Sequence, residues 1–260
     1  MKERNYKPAG RNDFIDLLLS LKEKGKIVGE SIENFNADGT PKESQLELDD
    51  MLMAAQVFVF FAAGFETSSS ATSYTLHQLA FHPEEQKKVQ DEIDEVLSRY
   101  DNKLCYDAIR EMKYLEMAFL ESMRLFPSLG FLIRKCAKTY TLPGTNVTID
   151  KDVSAIIPVQ ALHTDEKYFE DPDKFMPERF STERINDIKK HVFLPFGEGP
   201  RVCIGERLGH MQSLAGLAAL LHKYSVEPAP TTLRHPVSDS TATITQSIKG
   251  GLPLRIKARA

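Results

Sequence analysis

At 260 residues the chain can bury a sizeable core as one large domain or two small ones. Hydrophobic residues make up 42% and charged residues 27%, the balance of an ordinary soluble globular protein, which excludes collagen-like, mucin-like and membrane-bundle chains. The 33 basic and 37 acidic residues leave a net charge of −4 with no run of five Lys/Arg, so charge implies neither nucleic acid nor an anionic membrane as partner.

Residues 1–10 are polar and do not read as a secretory signal. Phe14 to Leu21 has helical spacing broken by charge and predicts an amphipathic helix. Ile27 to Leu48, with Asn36-Ala37-Asp38-Gly39-Thr40-Pro41 inside it, reads as a loop or flexible connection and as the best internal boundary. Met51 to Phe65 is the most apolar stretch. It contains Gln56 and falls short of the roughly 20 residues that cross a bilayer, so a buried core helix is predicted there. That helix runs from Asp49 to about Phe81 and ends where His82-Pro83 opens the next one. Pro83, Glu84 and Glu85 form a favourable first turn, and Gln86 to Tyr100 continues as a surface helix. A further helix spans Lys113 to Phe126 and is stopped by Pro127.

Phe131 to Pro158 alternates and turns at Leu142-Pro143-Gly144, which predicts a small antiparallel sheet. Residues 162–190 are irregular. The last strong helix starts near Ile204 and carries Leu208, Met211, Leu214, Leu217 and Leu221 at helical spacing; strand and turn follow Tyr224. The class is therefore mainly α with a small β part, an α+β arrangement.

Three places depart from simple packing. Ala63-Gly64-Phe65-Glu66-Thr67-Ser68 puts a glycine, an acid and hydroxyls into an apolar helix, and a buried Glu66 would have to be paired or neutralised. Either Gly64 widens a groove where Glu66 and Thr67 handle protons, or the hydroxyls simply back-bond to carbonyls. Glu121 and Arg124 stand three apart on a helix that is apolar nearly all round, so both charges are expected to be buried, with Arg179 as a second guanidinium on the same carboxylate. Phe196-Gly197-Glu198-Gly199-Pro200-Arg201-Val202-Cys203-Ile204-Gly205 is a glycine-rich loop ending in a cysteine before a helix. Helix amides and Arg201 favour a thiolate there. Cys203 has no Cys or His partner at zinc spacing, whereas haem needs only one axial protein ligand. Three cysteines, Cys105, Cys136 and Cys203, are too few for a disulfide framework. His163, His191 and His210 lack ligand spacing and read as ordinary polar or core residues.

These motifs, in this order, resemble the carboxy-terminal half of the cytochrome P450 family, the haem-thiolate monooxygenases, and most closely its microsomal, insect xenobiotic-metabolising branch. The resemblance implies one partial domain over 1–260, with an oxygen-activation helix at 49–82, a Glu-x-x-Arg helix at 113–126, the cysteine loop at 196–205 and a following helix at 204–224. It implies haem b, with Cys203 as axial iron ligand, Arg201 and Arg134 on the propionates, Phe196 near the sulfur, and Gly197 and Gly205 shaping the loop. Ala63 and Gly64 would border an oxygen groove, Thr67 and Glu66 would relay protons, and Glu121, Arg124 and Arg179 would form a supporting triad. An apolar substrate would be lined by Phe58, Phe61, Ala62, Leu129, Phe131, Leu132 and the Ile244 to Ser247 turn. Electrons would come from NADPH through a reductase, with O2 as co-substrate and cytochrome b5 as a further partner, on the cytosolic face of the endoplasmic reticulum.

The resemblance covers about half of a typical member, so a truncated chain is expected, without membrane anchor or pocket roof. The faces of the 51–81 and 113–126 helices would then lie open as apolar patches. The alternative function is an inactive fragment or a haem-binding module without turnover. Asp152 stands where a glycine commonly turns, a position an Asp tolerates. Asn146-Val147-Thr148 matches a glycosylation sequon that a cytosolic domain would not use.

Overall fold

A computed structural model of the chain describes residues 2–242 and 245–259. Two groups of residues form separate sets of internal contacts: those up to Ala63 with Ala137–Asp152, and Gly64–Cys136 with those from Val153 onward.

In the first group, Asp13 caps helix α1 (Phe14–Glu23) by accepting the Asp16 N–H at 2.9 Å. Arg4 donates to both Asp13 and Asp16 at 2.6 Å. Leu18, Leu48 and Met53 make a small core. Between them lies an antiparallel ribbon, β1 (Lys26–Phe35) against β2 (Pro41–Glu47), where a loop was predicted. Its turn is closed by the Asn36 N–H donating to the Thr40 carbonyl at 2.7 Å, with Gly39 at φ +86°. β2 is exposed along its whole length, so neither face imposes the apolar alternation by which strands are read. A second short pair, β4 (Tyr140–Thr141) with β5 (Thr148–Ile149), surrounds the sequon, and Asp152 follows at φ +70°.

Helix α2 (Asp50–Phe81) continues into the second group, and its two halves differ. From Ala71 onward it is buried, with Tyr74, Thr75, His77, Leu79 and Ala80 inside. Before that point Met53 is its one buried residue, while Met51, Phe58, Phe61 and Phe65 are 68–79% exposed. The buried core helix predicted for Met51 to Phe65 is thus corrected. Phe60 of this run packs on the Phe14 ring at 4.6 Å, but among the described residues many of its apolar side chains still face water. By length and composition alone α2 is also the one described helix that could cross a membrane, a test that many core helices pass.

The main core is helical. α3 (Pro83–Ser98) contributes Val89, Ile93, Val96 and Leu97; α4 (Tyr106–Glu111) contributes Ala108 and Ile109; α5 (Lys113–Leu125) contributes Leu115, Ala118, Phe119 and Met123; α7 (Glu206–Lys223) contributes Leu214, Leu217, Ala218 and Leu221. α5 packs against α3, α7 and a 3-10 turn at Pro177–Phe180, so the open face expected for it is absent. Gln86 ties three elements together: its amide donates to the carbonyls of Leu79 and Val226 at 3.0 and 2.9 Å, and its Oε1 accepts the Val226 N–H at 2.8 Å. Two strand pairs complete this group, β3 (Leu132–Lys135) with β6 (Ser154–Ile157), and β7 (Tyr224–Pro228) with β8 (Leu254–Ala258). The single sheet predicted over 131–158 is therefore two ribbons, one in each group. The short helix α6 (Val159–His163) follows β6.

Candidate functional site

The buried charges come first, because they fix the elements around them. Glu121 and Arg124 are fully buried and Arg179 is 4% exposed. The Glu121 carboxylate accepts Arg124 Nε at 2.8 Å and Nη2 at 2.9 Å, Arg179 Nε at 3.2 Å, and the Met176 N–H at 2.9 Å. Arg124 also donates to the carbonyls of His163 and Pro172, each at 2.8 Å, and lies over the Phe169 ring. Removed from water, these ions are stable only because carboxylate, guanidinium and backbone groups meet in one place. A second polar clamp lies nearby. The Tyr114 hydroxyl donates to Glu85 and to Glu178, and Lys88 Nζ reaches both carboxylates. Burial and the two carboxylates push the Tyr114 phenol far above its ordinary value. Neither Tyr114 nor Lys88 stood out in the sequence.

The glycine loop is held by its own backbone. The Gly197 N–H donates to the Leu194 carbonyl at 3.1 Å, and the Cys203 N–H to the Phe196 carbonyl at 2.9 Å. Gly197 and Gly199 adopt φ of +72° and +78°, where a side chain would be strained. A Cβ at Gly197 would stand 3.7 Å from Leu132 Cδ1 and 4.0 Å from Arg134 Nη2, so β3 and its guanidinium flank the loop. Gly205 caps α7, and a Cβ there would lie 3.9 Å from Cys203 Sγ. Cys203 and Arg201 are exposed, whereas Phe196 packs on the core and meets the His210 ring edge-on.

The donor set around Cys203 tests what the loop can hold. Among the described residues no three His, Cys, Asp or Glu converge on a metal position. One soft thiol suits a metal that brings its other ligands with it, and exposed Val202, Ile204 and Leu208 offer apolar surface beside it. These residues fit a flat, apolar, anionic macrocycle such as haem.

Helix α2 borders the same region. Gln212 of α7 donates to the Gly64 carbonyl at 3.2 Å and to Ser68 Oγ at 2.6 Å, and among the described residues no atom beyond its chain neighbours and the backbone of α2 lies within 4 Å of a Cβ built on Gly64. Ser128 donates to the Thr67 carbonyl at 3.2 Å. Glu66, expected to be buried, is exposed, and its carboxylate accepts the Thr245 hydroxyl. Its helix face has water on one side, which removes the penalty that argued for pairing. Ser69, Thr72 and Thr75 back-bond to helix carbonyls. Ala63, Ala62, Phe61 and Phe58 lie on the exposed half of α2 in the first group.

An open pocket of about 230 Å3 is lined by Gly130, Phe131, Gln160, Ser238, Asp239 and Ser247 among others. Of the six predicted pocket residues only Phe131 lines it; Leu129 and Leu132 are half-buried outside its wall. Thr245, Gln246 and Ser247 of the predicted turn do line it, and Ile244 lies outside the described residues. Gln246 is fixed by donating to the Pro127 carbonyl and to Gln160 Oε1, each at 3.0 Å.

A family model described as cytochrome P450 matches residues 1–253. Cytochrome P450 6B7 of Helicoverpa armigera is 39% identical over 259 residues, 100% of this chain and 50% of that protein. Probable cytochrome P450 6a20 of Drosophila melanogaster is 39% identical over 246 residues, covering 95% and 46%. Cytochrome P450 6d3 of Musca domestica is 38% identical over 224 residues, covering 85% and 43%. The chain spans about half the length of the curated relatives it matches.

Proposed function

Because the chain belongs to the cytochrome P450 family, and its relatives are insect members, we propose that it forms the haem-binding and oxygen-activating part of a monooxygenase. Such an enzyme takes electrons from NADPH through a flavoprotein reductase and inserts one oxygen atom of O2 into an apolar small molecule. The observation that carries this reading is Cys203, an exposed thiol at the end of a loop locked by the Cys203 to Phe196 backbone bond. When bound, haem b supplies a redox-active iron whose cysteinate ligand favours O–O cleavage.

The chain's own residues divide the remaining work. Cys203 would provide the thiolate that holds the haem iron. Arg201 and Arg134 meet the propionate charges, Arg134 from the flank of Gly197. Phe196 packs beneath the loop, and Gly197 and Gly205 keep Cβ atoms away from it. Ala63 and Gly64 leave α2 thin where O2 must fit. Thr67 holds a proton near that position, and Glu66 exchanges protons with water at the helix surface, where the Thr245 hydroxyl orients its carboxylate. Glu121, Arg124 and Arg179 hold the scaffold and touch no substrate. By likeness to the family, Leu129, Phe131 and Leu132 in the second group are assigned to contact with an apolar xenobiotic or lipid-like substrate, and Phe58, Phe61 and Ala62 in the first group are assigned the same role. A reductase and cytochrome b5 at the cytosolic face of the endoplasmic reticulum complete this reading by likeness to the family.

The test is the absorption spectrum of the reduced, carbon-monoxide-bound protein, beside that of Cys203→Ser. A strongly red-shifted Soret band that is lost in the variant supports the thiolate site; a red-shifted band in both overturns it. A second reading, that residues 1–260 alone hold no haem, is favoured by the exposure of Phe58, Phe61, Phe65, Ile204 and Leu208. Apolar walls that face water do not exclude it from an iron site. Absence of any haem signal from this chain, with a red-shifted band from a longer one, would support that reading.

A further inference from the structure

One fully buried imidazole belongs to a residue that meets the Glu121 and Arg124 network through its carbonyl. His163, the last residue of α6, is 0% exposed, and its two ring nitrogens are in different situations. Nε2 accepts the buried Leu194 backbone N–H at 2.8 Å. That bond requires a neutral ring with its proton on Nδ1. Among the described residues Nδ1 makes no hydrogen bond, although the backbone of Met123 and Arg124 at the end of α5 favours a proton on the ring. Burial first, and the Arg124 charge second, push the ring down to about 4, so the Nε2 lone pair is present throughout the neutral range.

The same residue is bound at its main chain. The His163 carbonyl accepts Arg124 Nη1 at 2.8 Å, the guanidinium whose other nitrogens hold Glu121. Its ring packs on Phe193 at 5.1 Å, and Phe193 packs on Phe180 at 4.7 Å, next in sequence to Arg179. From Leu194 the chain of backbone bonds continues to Gly197 and, through Phe196, to Cys203.

We infer that His163 is a positioning residue: it transfers the fixed location of the Glu121, Arg124 and Arg179 network to the Cys203 loop by holding the Leu194 amide. The inference rests on the reading of Cys203 as the haem ligand. A ring acceptor suits this place because it offers one lone pair to one N–H while its apolar faces fill the space beside Phe193. Groups that orient a metal ligand from behind typically change affinity by roughly 10- to 100-fold when removed.

Two variants separate positioning from bulk. His163→Leu keeps apolar volume and removes the acceptor; His163→Gln restores an acceptor at about the same reach. In the haem-loaded protein, His163→Leu is expected to speed haem loss to a scavenger by roughly 10- to 100-fold and to convert part of the red-shifted carbon-monoxide band to an unshifted one. His163→Gln is expected to stay close to the parent in both. Leu behaving like the parent, or Gln failing as badly as Leu, overturns the inference. Hydrogen exchange at the Leu194 amide of the parent provides a reading that needs neither variant nor haem. Slow exchange is expected, and exchange at the rate of open loop amides overturns the inference even where His163→Leu does not fold. An unshifted band in the parent itself would instead strike the haem reading, so the two failures are distinguishable.

Discussion

The Glu121, Arg124 and Arg179 network and the Phe196 to Gly205 loop differ chiefly in what surrounds them. In the first, three ionic side chains at 4% exposure or less are closed in by partners from α5, α6 and the segment from Pro172 to Arg179. In the second, Cys203, Arg201, Val202 and Ile204 face water, although the backbone beneath them is tied by bonds from the Gly197, Val202 and Cys203 N–H groups. Charge is stable in an interior only where its partners are already present, while a site that receives a group keeps its donors uncommitted. On the inference drawn for His163, interior rigidity and surface availability are complementary, the loop taking its position from the sealed network.

The largest break in that comparison is Glu121→Ala, which strands two guanidinium groups. It should cost about 3–5 kcal/mol, read as a shift in urea unfolding. A loss under about 1 kcal/mol would mean that water already reaches the network.

Acid is the next lever. Folded His163 titrates near 4, whereas an ordinary His in the unfolded chain titrates near 6.5, so between these values the unfolded chain binds the extra proton. The His163 contribution to stability should be lost as pH drops through that window, roughly 3 kcal/mol in all. His163→Gln should lack this limb, and identical pH profiles for variant and parent would show that the ring is not held neutral.

A smaller effect belongs to the loop. Gly197→Ala forces a side chain into φ +72° while its Cβ finds only ordinary contacts, so about 1–2 kcal/mol of backbone strain is expected, measured as a drop in Tm. No drop would show the loop to be free to relax and hence less fixed than its bonding suggests. The smallest effect is Phe58→Ser on the open half of α2. Stability should change by no more than about 0.5 kcal/mol, while binding of an apolar dye to the chain should fall. A loss of several kcal/mol would mean that Phe58 is covered.

Much of the scaffold was legible where one physical rule acted alone. Pro83 and the two acids behind it mark the end of α2 and the start of α3, and Lys113 to Leu125 is periodic and stopped by Pro127. The chemistry of a carboxylate that can accept two guanidinium forks was enough to name Arg179 beside Arg124. Where two rules competed, the reading failed. β1 and β2 form a ribbon whose polar residues lie on both faces, so turn-forming composition hid them. The apolar run of Met51 to Phe65 suggested burial, but apolarity alone does not report which of its side chains are covered. Pocket residues such as Ser238 and Asp239 come from turns, and Gln160 from a five-residue helix, and neither carries a periodic signal. His163 looked ordinary because its importance lies in one nitrogen and one carbonyl, neither of which composition reveals.

Gln86 sets a timetable as well as a contact. Its amide waits for Val226, which leaves the ribosome 140 residues later. At about 5–20 residues per second that interval is roughly 7–28 s. During it α2 and α3 can coil locally and Gln86 can reach the Leu79 carbonyl, but the two hydrogen bonds that Gln86 makes to Val226 are still made to water. The core therefore closes when the carboxy-terminal strands arrive, and translation speed, more than helix formation, sets how long its apolar faces stay within reach of chaperones.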